Sequence, residues 1–206
     1  MSMQKIVGVL ALQGDFEAHE RMLQNALGAK TRLVKTCQEL EEADGLVLPG
    51  GESTTIVKLM QRIGLYEAIQ QRSAEGMPLY GTCAGMILLA RSILAREDQP
   101  TLGLLDVEVA RNAFGRQIDS FEADIPMQLY EGARHQLVHG VFIRAPYITR
   151  CGAEVSVLGR YQEKVVAVRQ QHILATAFHP ELTDDAGVHR YFLQMIEQSQ
   201  EKRSRT

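Results

Sequence analysis

The chain has 206 residues, a length suited to one domain with a sizeable buried core. A hydrophobic fraction of 45%, a charged fraction of 23% and a net charge of −3 are those of a soluble globular protein, and they exclude the basic excess of a nucleic-acid or anionic-lipid binder. The apolar run Ile6 to Leu12 is too short to span a membrane and no small-residue cleavage site follows it, while Cys37, Cys83 and Cys151 show neither a disulfide framework nor a Cys-x-x-Cys metal spacing.

A reducing, cytoplasmic setting is therefore expected, with thiols free for chemistry. In chain order, Lys5 to Leu12 reads as a buried strand. Asp15 then caps a helix that places Phe16, His19, Leu23, Ala26 and Leu27 near one face and stops at Gly28. Thr31 to Thr36, Gly45 to Leu48 and Pro78 to Thr82 read as further strands. Ser53 to Ile63, stopped by Gly64, and Ala84 to Ala95 read as helices. This alternation predicts an α/β fold, an open and mostly parallel sheet with helices on both faces. The second half is richer in strands: Leu105 to Ala110, Val138 to Ala145, Glu154 to Leu158, Val165 to Arg169 and Ile173 to Phe178. These suggest antiparallel additions before a closing helix from about Asp184 to Gln198. With no linker, repeat or low-complexity stretch, residues 1–206 are expected to form a single domain.

Three motifs carry chemistry. Gly81-Thr82-Cys83-Ala84-Gly85 has the Gly-x-nucleophile-x-Gly pattern of a strand-to-helix elbow, with cysteine as the nucleophile. Small neighbours permit the tight turn, the helix N-terminus favours thiolate, and the Ala84 amide can face a developing oxyanion. Of six histidines, His179 alone sits in His179-Pro180-Glu181 at the end of an apolar run. Residues two apart in an extended chain share a side, so Glu181 can orient the His179 imidazole as it takes the thiol proton. Leu48-Pro49-Gly50-Gly51-Glu52-Ser53-Thr54 again leads from strand to helix. Its paired glycines let backbone amides approach a ligand, and Ser53 or Thr54 can cap the helix, but no Gly-Lys-Ser/Thr follows to make a phosphate loop.

In this order, Pro49-Gly50-Gly51, the Cys83 elbow and His179-Pro180-Glu181 resemble the class I, triad-type glutamine amidotransferases. Leu10 to Gly14, Leu48 to Thr55, Arg111 to Gln117, Asp119 to Glu122, Val141 to Pro146 and Phe178 to Thr183 are similar to segments of the PdxT family, the glutaminase subunits of pyridoxal 5′-phosphate synthase. The likeness runs from about Ile6 to Ile196. It implies a triad of Cys83, His179 and Glu181, and oxyanion amides from Gly51 and Ala84. It further implies a glutamine site built from Gly51, Glu52, Ser53, Arg111, Ile143 and Arg144. Ammonia released from glutamine would pass to a separate, PdxS-type synthase subunit that builds pyridoxal 5′-phosphate. No metal and no cofactor is expected. From the residues alone, Arg111 reads equally as a solvated strand-end charge, Ile143 as core and Arg144 as a rim ion pair. Three other readings stand beside this one: the glutaminase subunit of another amidotransferase such as imidazole glycerol phosphate synthase, a cysteine hydrolase on a similar sheet, and a non-catalytic binding module.

Overall fold

The structure is a computed structural model that describes residues 5–96, 98–111, 120–130, 132 and 134–203. Most of the expected Arg111–Gln117 segment and Asp119 fall within 112–119, outside the described residues.

The strands β1 (Ile6–Leu10), β2 (Lys30–Val34), β3 (Gly45–Leu48) and β4 (Leu79–Thr82) run parallel, in the order β2-β1-β3-β4. Apolar on both faces, β1, β3 and β4 are buried, while β2 at the edge is half exposed. Helix α1 (Phe16–Arg21) starts where the Asp15 carboxylate accepts the Ala18 N–H, continues as one π turn over Met22–Ala26, and ends at Gly28 as expected. Short α2 (Cys37–Glu41) opens on a reciprocal capping box between Thr36 and Glu39. Helix α3 (Ser53–Arg62) ends at Gly64, whose left-handed φ of 77° also launches α4 (Leu65–Ala74) directly, a second helix the sequence reading did not assign.

The next element departs from expectation. Helix α5 covers only Ala84–Leu89, and Ala90–Ile93 is strand β5. An uninterrupted helix would donate the Ser92 and Ile93 amides to the carbonyls of Leu88 and Leu89. Those carbonyls are taken by Leu102 N–H at 2.7 Å and Leu104 N–H at 3.0 Å, and β5 pairs instead with β6 (Leu105–Ala110).

The remaining strands are β7 (Ser120–Met127), β8 (Gln136–Ile143), β9 (Tyr147–Cys151), β10 (Ser156–Tyr161), β11 (Lys164–Gln170) and β12 (Ile173–Thr176), followed by α6 (Gly187–Arg203). Strand β12 lies parallel to β4, and from it the sheet continues antiparallel through β11, β10, β7 and β8. It also branches, because β11 meets β12 over residues 167–170 and β9 at Val165, and β9 carries β6 and β5. Strands β7 and β9 were not anticipated. Pro126 sits inside β7 and Pro146 directly precedes β9, and proline demotes a run read from sequence. Pro126 is tolerated because β7 pairs along its whole length with β8 but meets β10 only at Met127.

Helices cover both faces, and β4 shows why. The Tyr80 ring packs edge-on to His19 of α1 and His189 of α6 and against Phe192, while its neighbour Gly81 faces Gly85 and Leu89 of α5. No helix among the described residues is long and apolar enough to cross a membrane. The seat of α5 on the sheet is tight enough that a Cβ on Gly85 would meet the Leu48 carbonyl, a backbone atom that cannot swing aside. Gly85→Ala is expected to destabilise the protein by about 1–3 kcal/mol, the ordinary range for overpacking, read from the urea midpoint at constant m-value.

Candidate active site

Three loops converge because their parent strands are neighbours in register. Leu48 pairs with Gly81, and Thr82 pairs with Thr176, so the chain after β3, β4 and β12 emerges at one edge of the sheet. Ligand sites of open α/β sheets lie at this carboxyl edge. The loop after β1, which is itself paired to β3, contributes Gln13.

After β4 the chain turns sharply at Cys83, with φ 48° and ψ −100°. A non-glycine residue there carries strain on the order of 1–3 kcal/mol, sustained only where the surroundings fix it. They do: Cys83 N–H donates to the Thr176 carbonyl at 2.8 Å, and its own carbonyl accepts from Ile87 N–H at 3.3 Å. Ala84 follows as the first residue of α5, so its N–H has no carbonyl within the helix to bond. The thiol is 9% exposed, at the base of a cleft of about 300 Å³, with its sulfur 3.9 Å from the Ile143 carbonyl.

His179 follows β12 and is anchored by its N–H on the Val141 carbonyl at 2.8 Å. Its Nδ1 lies 2.7 Å from Oε1 of Glu181, and the imidazole lines the same cleft as Cys83. The pairing of His179 with Glu181 was anticipated, but not its cause. Residues 180–182 form a 3₁₀ turn, and that turn rather than an extended chain brings the carboxylate back. A carboxylate can only accept, so Nδ1 carries the hydrogen and Nε2 is left for the thiol. Burial pulls the His179 imidazole down, but hydrogen bonds and charge from Cys83 and Glu181 outweigh it and push it up to about 10. Burial likewise opposes ionisation of Glu181, yet the imidazoles of His19 and His179 hold that carboxyl well below the usual range. The array is a proton-holding imidazole between a thiol and an ionised carboxylate. Pro49-Gly50 closes it from above, and any side chain at Gly50 would strike His179 Cε1.

Gly51, Glu52, Ile143 and Arg144 line the cleft as expected, joined by Asp15 and Leu182. Ser53 and Arg111 do not line it. Ser53 is buried behind the loop, and its Oγ accepts from Gln99 at 2.9 Å. Arg111 donates to Oε1 of Gln99 at 2.6 Å and to Oε1 of Glu52 at 3.2 Å, so it steadies the rim of the cleft. The helix cap is also reassigned: Glu52, not Ser53 or Thr54, caps α3 by accepting from Thr54 N–H. Burial opposes ionisation of Glu52, but Thr54 and Arg111 together lower its carboxyl. Two residues were missed. Gln13 accepts the Glu52 N–H at 2.7 Å, and Gln99 clamps Ser53 to Arg111. Gln13 stands in a quoted segment without a stated role, and Gln99 lies in a loop with no pattern to mark it.

A profile of the SNO glutamine amidotransferase family matches residues 9–198. The chain belongs to this family. Subunit PdxT of pyridoxal 5′-phosphate synthase from Desulforamulus reducens is 50% identical over 93% of this chain and 99% of its own, and that from Frankia casuarinae is 53% identical over 94% and 96%. A glutamine amidotransferase of known crystal structure, 48% identical, superposes with a TM-score of 0.86 over 93% of this chain and 98% of its own. PurLQS from Thermotoga maritima, at 16% identity and a TM-score of 0.67 over 96% and 97%, shares the fold.

In this SNO family member the raised His179 proton affinity links folding to pH. The stabilisation is complete below the unfolded value of 6.5 and is lost as pH rises through about 10; the Glu181 share, of opposite sign, is complete above 4.5 and lost as pH falls. The stability advantage of the wild type over His179→Gln, from urea unfolding, is expected to shrink steadily between pH 6.5 and about 10. An advantage independent of pH over that range would contradict the assignment.

Proposed function

We propose that the chain hydrolyses glutamine to glutamate and ammonia through a γ-glutamyl thioester on Cys83, and hands the ammonia to a PdxS-type synthase subunit that builds pyridoxal 5′-phosphate in the cytoplasm. The observation that carries the reading is a cleft lined by the Cys83 thiol and by the His179 imidazole that Glu181 holds, whose walls bear both charges of a zwitterion's complement. Asp15 and Glu52 suit an ammonium group, and Arg144 suits a carboxylate. The relatives' names support a subunit of pyridoxal 5′-phosphate synthase, and the family's description supports glutamine as the substrate.

In this reading each residue has a role. With the thiol proton already on His179, sulfur attacks the side-chain amide carbon, and the imidazolium then gives that proton to nitrogen as ammonia leaves. Water, deprotonated by the same imidazole, splits the thioester. Glu181 fixes the tautomer and stabilises the imidazolium. The amides of Gly51 and Ala84 receive the oxyanion, Glu52, Ile143 and Arg144 hold the amino acid, and Ser53 and Arg111 act through Glu52 and its loop.

Free ammonia is wasted without an acceptor, and the Gly50-Gly51 peptide offers a control point. With glycine on both sides it flips at little steric cost, turning toward the oxyanion position either an amide or a carbonyl. One oxyanion donor is worth roughly 2.7–4 kcal/mol, on the order of 10²–10³ in rate, and partner docking that favours the productive flip by that amount is a sufficient switch. The isolated chain is expected to turn over glutamine slowly and to rise mainly in kcat when the synthase subunit is added. Under the same conditions Cys83→Ala is expected to be inactive, with Cys37→Ala and Cys151→Ala active. Full activity in Cys83→Ala would contradict the mechanism, and equal turnover with and without partner at saturating glutamine would contradict the switch.

A further inference from the structure

Behind the cleft lies a buried polar cluster that the proposed reaction does not use. His19 of α1 and His189 of α6 are both 0% exposed. His19 Nε2 lies 3.3 Å from Oε1 of Glu181 and 3.1 Å from Oγ1 of Thr82, the residue immediately before Cys83. His19 Nδ1 lies 2.9 Å from Nε2 of His189. Among the described residues, two atoms of the cluster are buried without a partner, Oε2 of Glu181 and Nδ1 of His189.

Building on the reading of Cys83 and His179 given above, we infer that His19 is a positioning residue for Glu181: it donates to the same Oε1 that His179 meets and fixes which carboxylate oxygen faces the catalytic imidazole. Two imidazoles converge on one oxygen and none on the other. With His179 as sole partner, that carboxylate is free to rotate and exchange oxygens, and the His179 ring swings with it. The same His19 nitrogen contacts Thr82, so one ring ties the strand that carries the thiol to the carboxylate that orients its base.

The hydrogen positions follow from the partners. An ionised carboxylate only accepts, so His19 Nε2 bears a hydrogen; in a neutral His19 ring, Nδ1 accepts from His189 Nε2–H. That leaves His189 Nδ1 as a bare lone pair, cheaper to bury than an orphaned N–H. Burial pushes the His189 imidazole down to about 3, in agreement with a neutral His189 ring. The remaining titratable group at the cluster is Tyr80 of β4, edge-on to both rings with its hydroxyl 3.1 Å from Oγ1 of Thr176. Burial and the Glu181 charge hold it well above its ordinary value, and thus neutral.

The test uses the full-length chain, with glutamine turnover followed in the presence of saturating synthase subunit and Cys83 alkylation by iodoacetamide followed without it, both against pH. His19→Leu is expected to lower kcat about tenfold or more with an unchanged KM. It is also expected to move the acid limb of both profiles upward by about one pH unit, because a carboxylate that has lost a donor protonates sooner. His19→Gln, whose amide nitrogen can replace Nε2, is expected to restore the acid limb. Wild-type profiles in His19→Leu, or equal impairment of the two variants with an unmoved acid limb, would overturn the role of His19; activity in Cys83→Ala would overturn the underlying reading instead. Where His19→Leu fails to fold, imidazole ¹⁵N spectra of the wild type decide the question: a proton on His19 Nε2 supports the role, and a bare Nε2 overturns it.

Discussion

The site depends on one pairing, the parallel alignment of β4 with β12. Thr82 lies opposite Thr176, and the Cys83 N–H donates to the Thr176 carbonyl at 2.8 Å. That register fixes the nucleophile and the base in one step, because Cys83 directly follows β4 and His179 lies in the segment that leaves β12. It also holds Cys83 in a backbone conformation it would not keep alone. Every other part of the cleft is arranged around this seam. Strand β3 beside β4 supplies the glycine loop, β1 beside β3 supplies Gln13, and the bridge from His179 to Val141 brings the end of β8, with Ile143 and Arg144, over the thiol.

Charge in so enclosed a place is stable only when it is paired. A buried carboxylate alone would take up a proton, yet Glu181 stays ionised because two imidazoles face one of its oxygens. Its charge in turn keeps a proton on His179. The glycine-lined elbow, the 3₁₀ turn at Pro180 and the buried histidine pair therefore act toward one end, holding an imidazole ready to exchange a proton with sulfur.

Much of this is legible in the sequence, where local rules govern. The elbow is written in Gly81 and Gly85, the base and its orienting carboxylate in His179-Pro180-Glu181, and the parallel strands in short apolar runs. What is not legible depends on distant partners. Ala90–Ile93 becomes a strand only because Leu102 and Leu104 occupy the carbonyls a helix would need. Gln99 acquires a role only when the fold sets it between Ser53 and Arg111. His19 reads as one member of an apolar helix face, and its contact with Glu181, 162 positions away (181 − 19), follows from tertiary packing alone. Ser53 and Arg111, expected at the glutamine site, are joined through Gln99, and Arg111 also bonds Glu52.

The central claim is that the thiol at the β4–β12 seam is the nucleophile and that the cleft above it is shaped for glutamine. A glutamine-mimicking diazoketone tests both at once, with the adduct located by peptide mass spectrometry. The account predicts one adduct per chain, on Cys83, whose formation glutamine suppresses and His179→Asn slows. Labelling of Cys37 or Cys151 in its place, or labelling of Cys83 that glutamine does not reduce, would contradict it.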